Sequence, residues 1–335
     1  MQREIDQFLR HHAQLLFLDT PAYPALLALL DDAPPVIAVL GDLSCLHRSC
    51  VALVGARNAS ANGQRMAENL ARELATAGLT VVSGLARGID AAAHRGALAA
   101  APDGRTIAAI AGGLDVPYPP EHDDLQARIA EGGAVISETP LGTAPLARHF
   151  PRRNRVIAGL SLGVVVVEAA LRSGSLITAR LAQENGRELF AIPGSPLDPR
   201  ARGSNDLIRQ GAHLTETASD VLTNLPDHPS RMGLARDPLF AEGRRSDPDF
   251  ATGRPPPGQF AEPRQCRVEP EETAAGLGRA RSQIVELLGP SPSSVDDLIR
   301  RCQFSAATVM VVLLELELAG RVETLPGNRV ALLSN

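Results

Sequence analysis

The 335-residue chain is 44% hydrophobic with a formal net charge of −5, so it suits two domains and a linker and is not coated in positive charge; any nucleic-acid site must be a local patch. All 33 basic residues are arginine, which excludes a P-loop lysine, a Schiff-base lysine and a lysine general base, and leaves guanidinium groups, backbone N–H groups and helix N-termini to hold an anion. No apolar run nears the roughly 18 residues of a membrane span, the start lacks a secretory pattern, and Cys45, Cys50, Cys266 and Cys302 have no metal-ligand spacing, so a cytoplasmic protein with free thiols and no metal is expected.

Residues 1–48 read as a short helical or irregular lead, broken at Tyr23-Pro24 and Pro34-Pro35. From 49 to 225 short apolar runs alternate with helical stretches. The runs are 51–54, 80–82, 106–110, 134–136, 163–167, 188–192 and, weakly, 212–214, rich in Val, Ile and Ala as strands buried on both faces are. Between them, 64–77 places Met66, Leu70 and Leu74 on one face and stops at Gly78. Asp90 stands where it can cap 91–100, and 175–185 ends at Gly186. This alternation predicts an α/β fold with a Rossmann-like, doubly wound, mostly parallel sheet, whose ligands lie beyond the carboxyl ends of the strands. Residues 226–274, dominated by Pro, Gly, Arg, Asp and Glu, predict a disordered linker. From 275 to 335, three helical periods and a hairpin signal at Pro326-Gly327-Asn328 predict a small winged-helix-like domain.

The loops after the strands carry the chemistry. The first, Gly55-Ala56-Arg57-Asn58-Ala59-Ser60, occupies the place of a dinucleotide fingerprint but puts Arg57 where its second glycine belongs. An arginine crowds a pyrophosphate lying against the backbone and suits a phosphate held farther out; an ordinary βα turn is the other reading. The second, Ser83-Gly84-Leu85-Ala86-Arg87-Gly88, offers tight backbone and free N–H groups as an anion nest. His94 beyond it reads as a hydrogen-bonded structural residue rather than a base, because no paired acid or nucleophile is evident. Asp115 and Glu138 close the third and fourth strands, either as an acid/base pair or metal ligands, or in turn and cap roles.

Between Glu138 and Glu168 there is no acidic residue, yet Arg148, Arg152, Arg153 and Arg155 gather there beside Phe150. Arginines hold phosphates and an aromatic ring stacks a base, which suits single-stranded nucleic acid; a solvated helix start with Phe150 in the core is the alternative. Then Arg172-Ser173-Gly174-Ser175-Leu176-Ile177-Thr178 opens a helix with small hydroxyl residues, and Pro193-Gly194-Ser195 and Gly203-Ser204-Asn205 follow the sixth strand. Glycine, serine or arginine thus recurs at strand end after strand end along one edge.

At these residues the chain resembles the DNA-processing protein A (DprA, also called Smf) family: Gly55 to Arg57, Ser83 to Asp90 with His94, Gly113 to Asp115 with Tyr118-Pro119, Phe150 to Arg155, Ser173 to Thr178, Pro193-Gly194 and Gly203 to Asn205. The resemblance covers about residues 20–225, and residues 276–333 look like the winged-helix tail of many members. Members often begin with a longer helical domain, whereas about twenty residues precede Tyr23-Pro24 here.

The resemblance implies a recombination mediator without catalysis that binds single-stranded DNA, forms a homodimer through the late part of the core near residues 205–214, and loads RecA recombinase on incoming strands during natural transformation. The expected DNA site is Gly55, Arg57, Ser83, Gly84, Arg87, Phe150, Arg153, Asn154, Arg155, Ser173, Gly174, Ser175, Thr178 and Asn205, with no cofactor and no membrane partner. The alternatives are a nucleotide-binding Rossmann enzyme akin to the phosphoribohydrolases, whose Pro-Gly-Gly-x-Gly-Thr-x-x-Glu signature is absent, and a scaffolding protein. The third helix of the tail, 306–319, holds Glu315 and Glu317 and no arginine, asparagine or glutamine, so the tail is expected to meet a protein partner, not yet identified, at the end of its tether.

Overall fold

The computed structural model describes residues 7–100, 102–226, 274–302 and 304–333. Seven strands follow the apolar runs of the sequence: β3 (Cys50–Val54), β4 (Thr80–Ser83), β5 (Arg105–Ala109), β6 (Ala134–Ser137), β7 (Gly163–Val166), β8 (Glu188–Ala191) and β9 (His213–Leu214). They pair in parallel, in the order β6-β5-β4-β3-β7-β8-β9. Alternation within a strand sends side chains to opposite faces. Ala52 and Val54 therefore join one core with Ile157, Leu160 and Val164, whereas Val51 and Leu53 join another with Leu70, Leu74 and Phe190.

The lead is not merely helical. It contributes β1 (Ala13–Phe17) and β2 (Val36–Gly41), joined through the four-residue α1 (Ala25–Ala28). β2 pairs antiparallel with β6, and β1 with β2, so the lead extends the sheet to nine strands. Tyr23 anchors its loop by donating from the phenol to the Pro34 carbonyl (2.6 Å). The Val-Ile-Ala-Val-Leu run of β2 lies between prolines and a 3₁₀ turn, and the proline breaks masked its strand character.

Helices cover both faces. α2 (Ala61–Thr76) and α3 (Ile89–Leu98) pack together on one side with α8 (Ala218–Asn224). α5 (His149–Leu160) and α6 (Ser175–Glu184) cover the other, while α4 (Asp123–Gly132) packs on β5 and β6 and α7 (Arg202–Arg209) on β8. The chain winds from β3 outward to β6, then returns across the sheet to β7 on the other side of β3. The strand order reverses between β3 and β7, and the crevice beyond their carboxyl ends is the topological switch point.

The tail is a three-helix unit of α9 (Ala274–Leu287), α10 (Val295–Arg301) and α11 (Ala306–Leu318) with a sheet of order β10-β12-β11, formed by β10 (Ser293–Ser294), β11 (Val322–Leu325) and β12 (Arg329–Leu332). Ile284, Leu298, Val309, Val312 and Leu316 fill its centre, and Ala61 of α2 joins the same cluster. The tail is seated on the core instead of standing away from it. Arg65 pairs with Asp297 (2.9 Å), Asn62 donates to the Pro292 carbonyl, and Arg200 donates to the carbonyls of Glu286 (2.7 Å) and Leu288 (2.8 Å) at the end of α9. The expected linker, 226–274, lies outside the described residues apart from its two ends.

Candidate nucleic-acid interface

A cleft of about 840 Å³ opens at the switch point. Its floor is the β3–α2 loop from Val54 to Asn58, one wall is the start of α5, and the other is the loop from Ala170 into α6. Nine of the fourteen expected residues line it: Gly55, Arg57, Phe150, Arg153, Asn154, Ser173, Gly174, Ser175 and Thr178.

The loop after β3 is shaped by its neighbours. Gly88, at the start of α3, has φ +73°, and a Cβ there would stand 2.3 Å from the Ala56 carbonyl oxygen. Only glycine meets both conditions without strain. Asp90 is therefore not the cap of α3: Gly88 holds that place, and the buried Asp90 carboxylate instead accepts from the Gly84 and Ala86 amides (3.2 and 3.4 Å), closing the β4–α3 loop. Burial pushes the Asp90 carboxyl above its ordinary range, opposed by the Arg153 guanidinium and the two amides.

At the α2 N-terminus, Ser60 accepts from the Gly63 amide while its own N–H (2.9 Å) and hydroxyl donate to Glu168. A carboxylate from the end of β7 thus already occupies the helix N-terminus where a dinucleotide fold places its pyrophosphate.

The opposite wall differs. α6 begins at Gly174 with no side-chain cap. Ser173 and Ser175 share a hydroxyl–hydroxyl hydrogen bond (2.7 Å), and Asn154 donates to the Gly174 carbonyl (3.3 Å), fixing the loop. The exposed Arg172 beside it makes no hydrogen bond or ion pair among the described residues. The Ser175 amide already donates to the Ser173 hydroxyl (3.4 Å), and the Leu176 and Ile177 amides to the Ser173 and Gly174 carbonyls (3.1 and 3.2 Å), so what the start of α6 offers an anion in the cleft is its helix dipole and the Gly174 amide.

Phe150 is half-buried at the centre. The Arg57 guanidinium lies over its ring at 4.8 Å from the centroid, Arg153 at 5.9 Å, and Tyr118 meets it edge-on at 5.6 Å. Tyr118 is 44% exposed. It and Arg172 line the cleft although neither was expected in the site; an aromatic ring in a chain with two tyrosines was the available signal.

Five expected residues lie outside the lining. The buried Ser83 donates to the Leu53 carbonyl (2.6 Å), tying β4 to β3. Gly84 gives room for the Arg153 guanidinium, which a Cβ would approach to 2.5 Å. Arg87 pairs with Glu121 on the surface. Asn205 exchanges two hydrogen bonds with the Gly194 backbone. Arg155 is buried against Glu138 and Asp32. The arginine run is acid-free only in sequence, because folding brings Glu138 and Asp32 to it.

Arg153 is also committed, though it borders the cleft. Its Nη1 donates to the carbonyls of Gly84, just past β4, and Ala109, the last residue of β5, and burial draws its pKa down to about 10. Glu138 likewise serves Arg152 (3.1 Å) and Arg155, and Asp115 accepts from the Gly142 amide (2.8 Å), so the two acids hold loops and do not face each other as a pair. His94 is wholly buried, with its ring Nδ1 at 2.7 Å from the Thr106 hydroxyl. That hydroxyl donates to the Val81 carbonyl, so Nδ1 carries the proton.

Comparison with known proteins supplies the family. Residues 14–226 match the family model described as DNA recombination-mediator protein A, and 268–328 match the DprA winged helix domain. The chain is 40% identical to Protein Smf of Escherichia coli (strain K12), over 96% of this chain and 78% of that protein. It is 48% identical to DNA processing protein DprA of Streptococcus pneumoniae over 60% of this chain and 70% of that one. The X-ray structure of DprA from Streptococcus pneumoniae superposes with a TM-score of 0.62 at 45% identity, covering 64% of this chain and 75% of that one. A Helicobacter pylori DNA processing protein A structure, described for its single-stranded DNA binding mode, gives 0.56 at 31% identity, with 64% and 98% coverage. With its fold, strand-end loops and tail all accounted for, the chain belongs to the DNA recombination-mediator protein A family.

Proposed function

We propose that the switch-point cleft binds single-stranded DNA, and that the chain acts in DNA processing during transformation as a non-catalytic mediator in the cytoplasm. The observation that carries this reading is the grouping of Arg57, Phe150 and Tyr118 opposite Arg172 and the start of α6. Guanidinium and amide donors take backbone phosphates, aromatic rings take bases, and neither reads sequence. The binding mode named for the Helicobacter pylori relative supports the same ligand. Arg57, Arg172 and the Gly174 amide are assigned the phosphates. Arg153 and Arg155 are assigned the positioning of α5.

A nucleotide-hydrolysing enzyme is not favoured, because Glu168 fills the phosphate position at α2. The mediator reading further assigns RecA as the partner that receives the DNA and a second copy of this chain as the dimer mate. The edge strand β9, with Leu214 53% exposed, supports an intermolecular contact in the 205–214 region.

A salt titration of binding to labelled oligothymidylate tests the cleft. The logarithm of affinity should fall linearly with the logarithm of salt concentration, by roughly 0.7 per neutralised phosphate. Binding that ignores salt, or that Arg57→Ala and Arg172→Ala together leave untouched, overturns the assignment. RecA filament growth on protein-coated single strands, with and without the chain, tests the mediator role.

A further inference from the structure

A second, separate concentration of arginine lies where the tail meets the core. A hollow of about 570 Å³ is lined by Gln64, Arg65, Glu68, Asn69, Arg95, Asp297, Arg300 and Arg301. None of these lines the switch-point cleft. Four guanidinium groups face two carboxylates. Asp297 is already divided between Arg65 (2.9 Å) and Arg300 (2.8 Å). Glu68 reaches Arg301 only at 3.5 Å, and Gln64 accepts from Arg301 at 3.4 Å.

The two remaining arginines are under-served. The Arg301 side chain is 13% exposed, and its Nε is buried with no acceptor among the described residues. Arg95 is half-buried, and its guanidinium makes neither a hydrogen bond nor an ion pair there. Glu68 attracts it, whereas Arg301 and Arg128 repel it, and burial disfavours its charge. Desolvated positive groups with open donors need an acceptor carrying negative charge. Water supplies acceptors without charge. A phosphate supplies several oxygens in a tetrahedral array, which guanidinium forks meet two at a time.

We propose that this seam is a phosphate-binding site, independent of the switch-point cleft, in which Arg95 from the core and Arg301 from the tail grip one phosphate group with Arg65 and Arg300 at its rim. The occupant is a backbone phosphate of nucleic acid or the phosphate of a small free anion. Because Arg95 belongs to α3 and Arg300 and Arg301 to α10, binding joins the tail to the core.

Hydrogen–deuterium exchange on the full chain tests this, with inorganic phosphate titrated at constant ionic strength against chloride. Phosphate should slow exchange saturably at α2 and α10. Arg95→Gln combined with Arg301→Gln should weaken that protection roughly ten-fold, the loss of a pair of charge-assisted hydrogen bonds. Asp297→Asn should act oppositely, tightening phosphate binding by freeing Arg65 and Arg300, an outcome a purely structural Asp297 does not give. A short oligodeoxynucleotide added to Arg57→Ala, whose cleft is impaired, separates the sources: protection of the seam identifies a nucleic-acid backbone, and protection by inorganic phosphate alone identifies a small anion. Phosphate no better than chloride in the parent chain, or equal protection in the double variant, overturns the proposal.

Discussion

The Arg57 guanidinium stands 4.8 Å from the centroid of the Phe150 ring, so the positive group and the aromatic face proposed to meet DNA touch each other. On the proposed reading each masks the other: a phosphate would draw Arg57 off the cation–π contact and bare the ring for a base. The two residues should therefore act as a unit. Arg57→Ala should lower the salt slope of single-stranded DNA binding by roughly 0.7, and Phe150→Ala should cost about 1–3 kcal/mol of binding. The double variant should lose more than the sum, by about 0.5–1 kcal/mol, because each single change also relieves the cost of breaking the contact and the sum counts that relief twice. Strict additivity in a double-mutant cycle means that the contact plays no part in binding.

Arg153 and Arg155 should behave differently from Arg57. Arg153→Ala strands the carbonyls of Gly84 and Ala109 and leaves buried Asp90 without its nearest cation. Arg155→Ala leaves Glu138, 9% exposed, with only Arg152. Removing one partner from such buried pairs costs about 3–5 kcal/mol. Urea midpoints should fall sharply for both and stay near the parent value for Arg57→Ala. If both variants keep parental midpoints but bind DNA with flattened salt slopes, they are phosphate ligands after all.

His94 predicts a pH dependence. Burial lowers its pKa from 6.5 to about 3, so the folded state holds it neutral while the unfolded chain protonates below pH 6.5. A depressed folded pKa contributes stability above the unfolded value that drains away as pH falls through the window between them. The slope is about 1.4 kcal/mol per pH unit, giving roughly 2 kcal/mol less stability from this group at pH 5 than at pH 7. The raised Asp90 carboxyl acts with the opposite sign, so the comparison must isolate His94. His94→Gln should reduce the loss of urea midpoint between pH 7 and 5, and the His94 ring proton resonance should not titrate above pH 5. A ring titrating near 6.5 in the folded chain refutes this.

The parallel sheet was legible because β3 to β9 are short, apolar and separated by amphipathic helices with readable ends. The lead was not, because prolines at 24, 34 and 35 interrupt the pattern around β2, and antiparallel pairing to β6 is a non-local fact. In the site, the strand-end loops were legible because each carries Gly, Ser or Arg at the same edge. The division of labour among the arginines was not. Arg57 and Arg153 look alike in sequence, yet one lies at the surface and the other under two carbonyls. Arg155 read as a phosphate ligand because its partners, Glu138 and Asp32, come from 17 and 123 residues away. Seating of the tail on α2 had no local signal at all, since Arg65–Asp297 spans 232 residues.

The tail should bind protein before DNA. In a winged helix the third helix enters the major groove with basic or amide side chains on base edges. Here α11 exposes Met310, Val311, Leu314 and Leu318, at 52%, 47%, 57% and 82%, beside Glu315 and Glu317. The apolar residues fall at spacings of one, three and four, which makes one stripe along the helix. Phosphates repel the glutamates, and the stripe has nothing to offer a base edge. All lining residues of the switch-point cleft fall between 54 and 178, so a chain ending at 226 keeps that site whole. It should bind a short single-stranded oligonucleotide with nearly the parental affinity. The full chain should bind duplex DNA no better than non-specifically, with a Kd of roughly 10⁻⁴–10⁻⁶ M at physiological salt, and Leu314→Arg should not change single-stranded binding. Tight duplex binding by the full chain that Leu314→Arg or truncation at 226 abolishes makes α11 a DNA reader and ends the protein-docking reading of this helix.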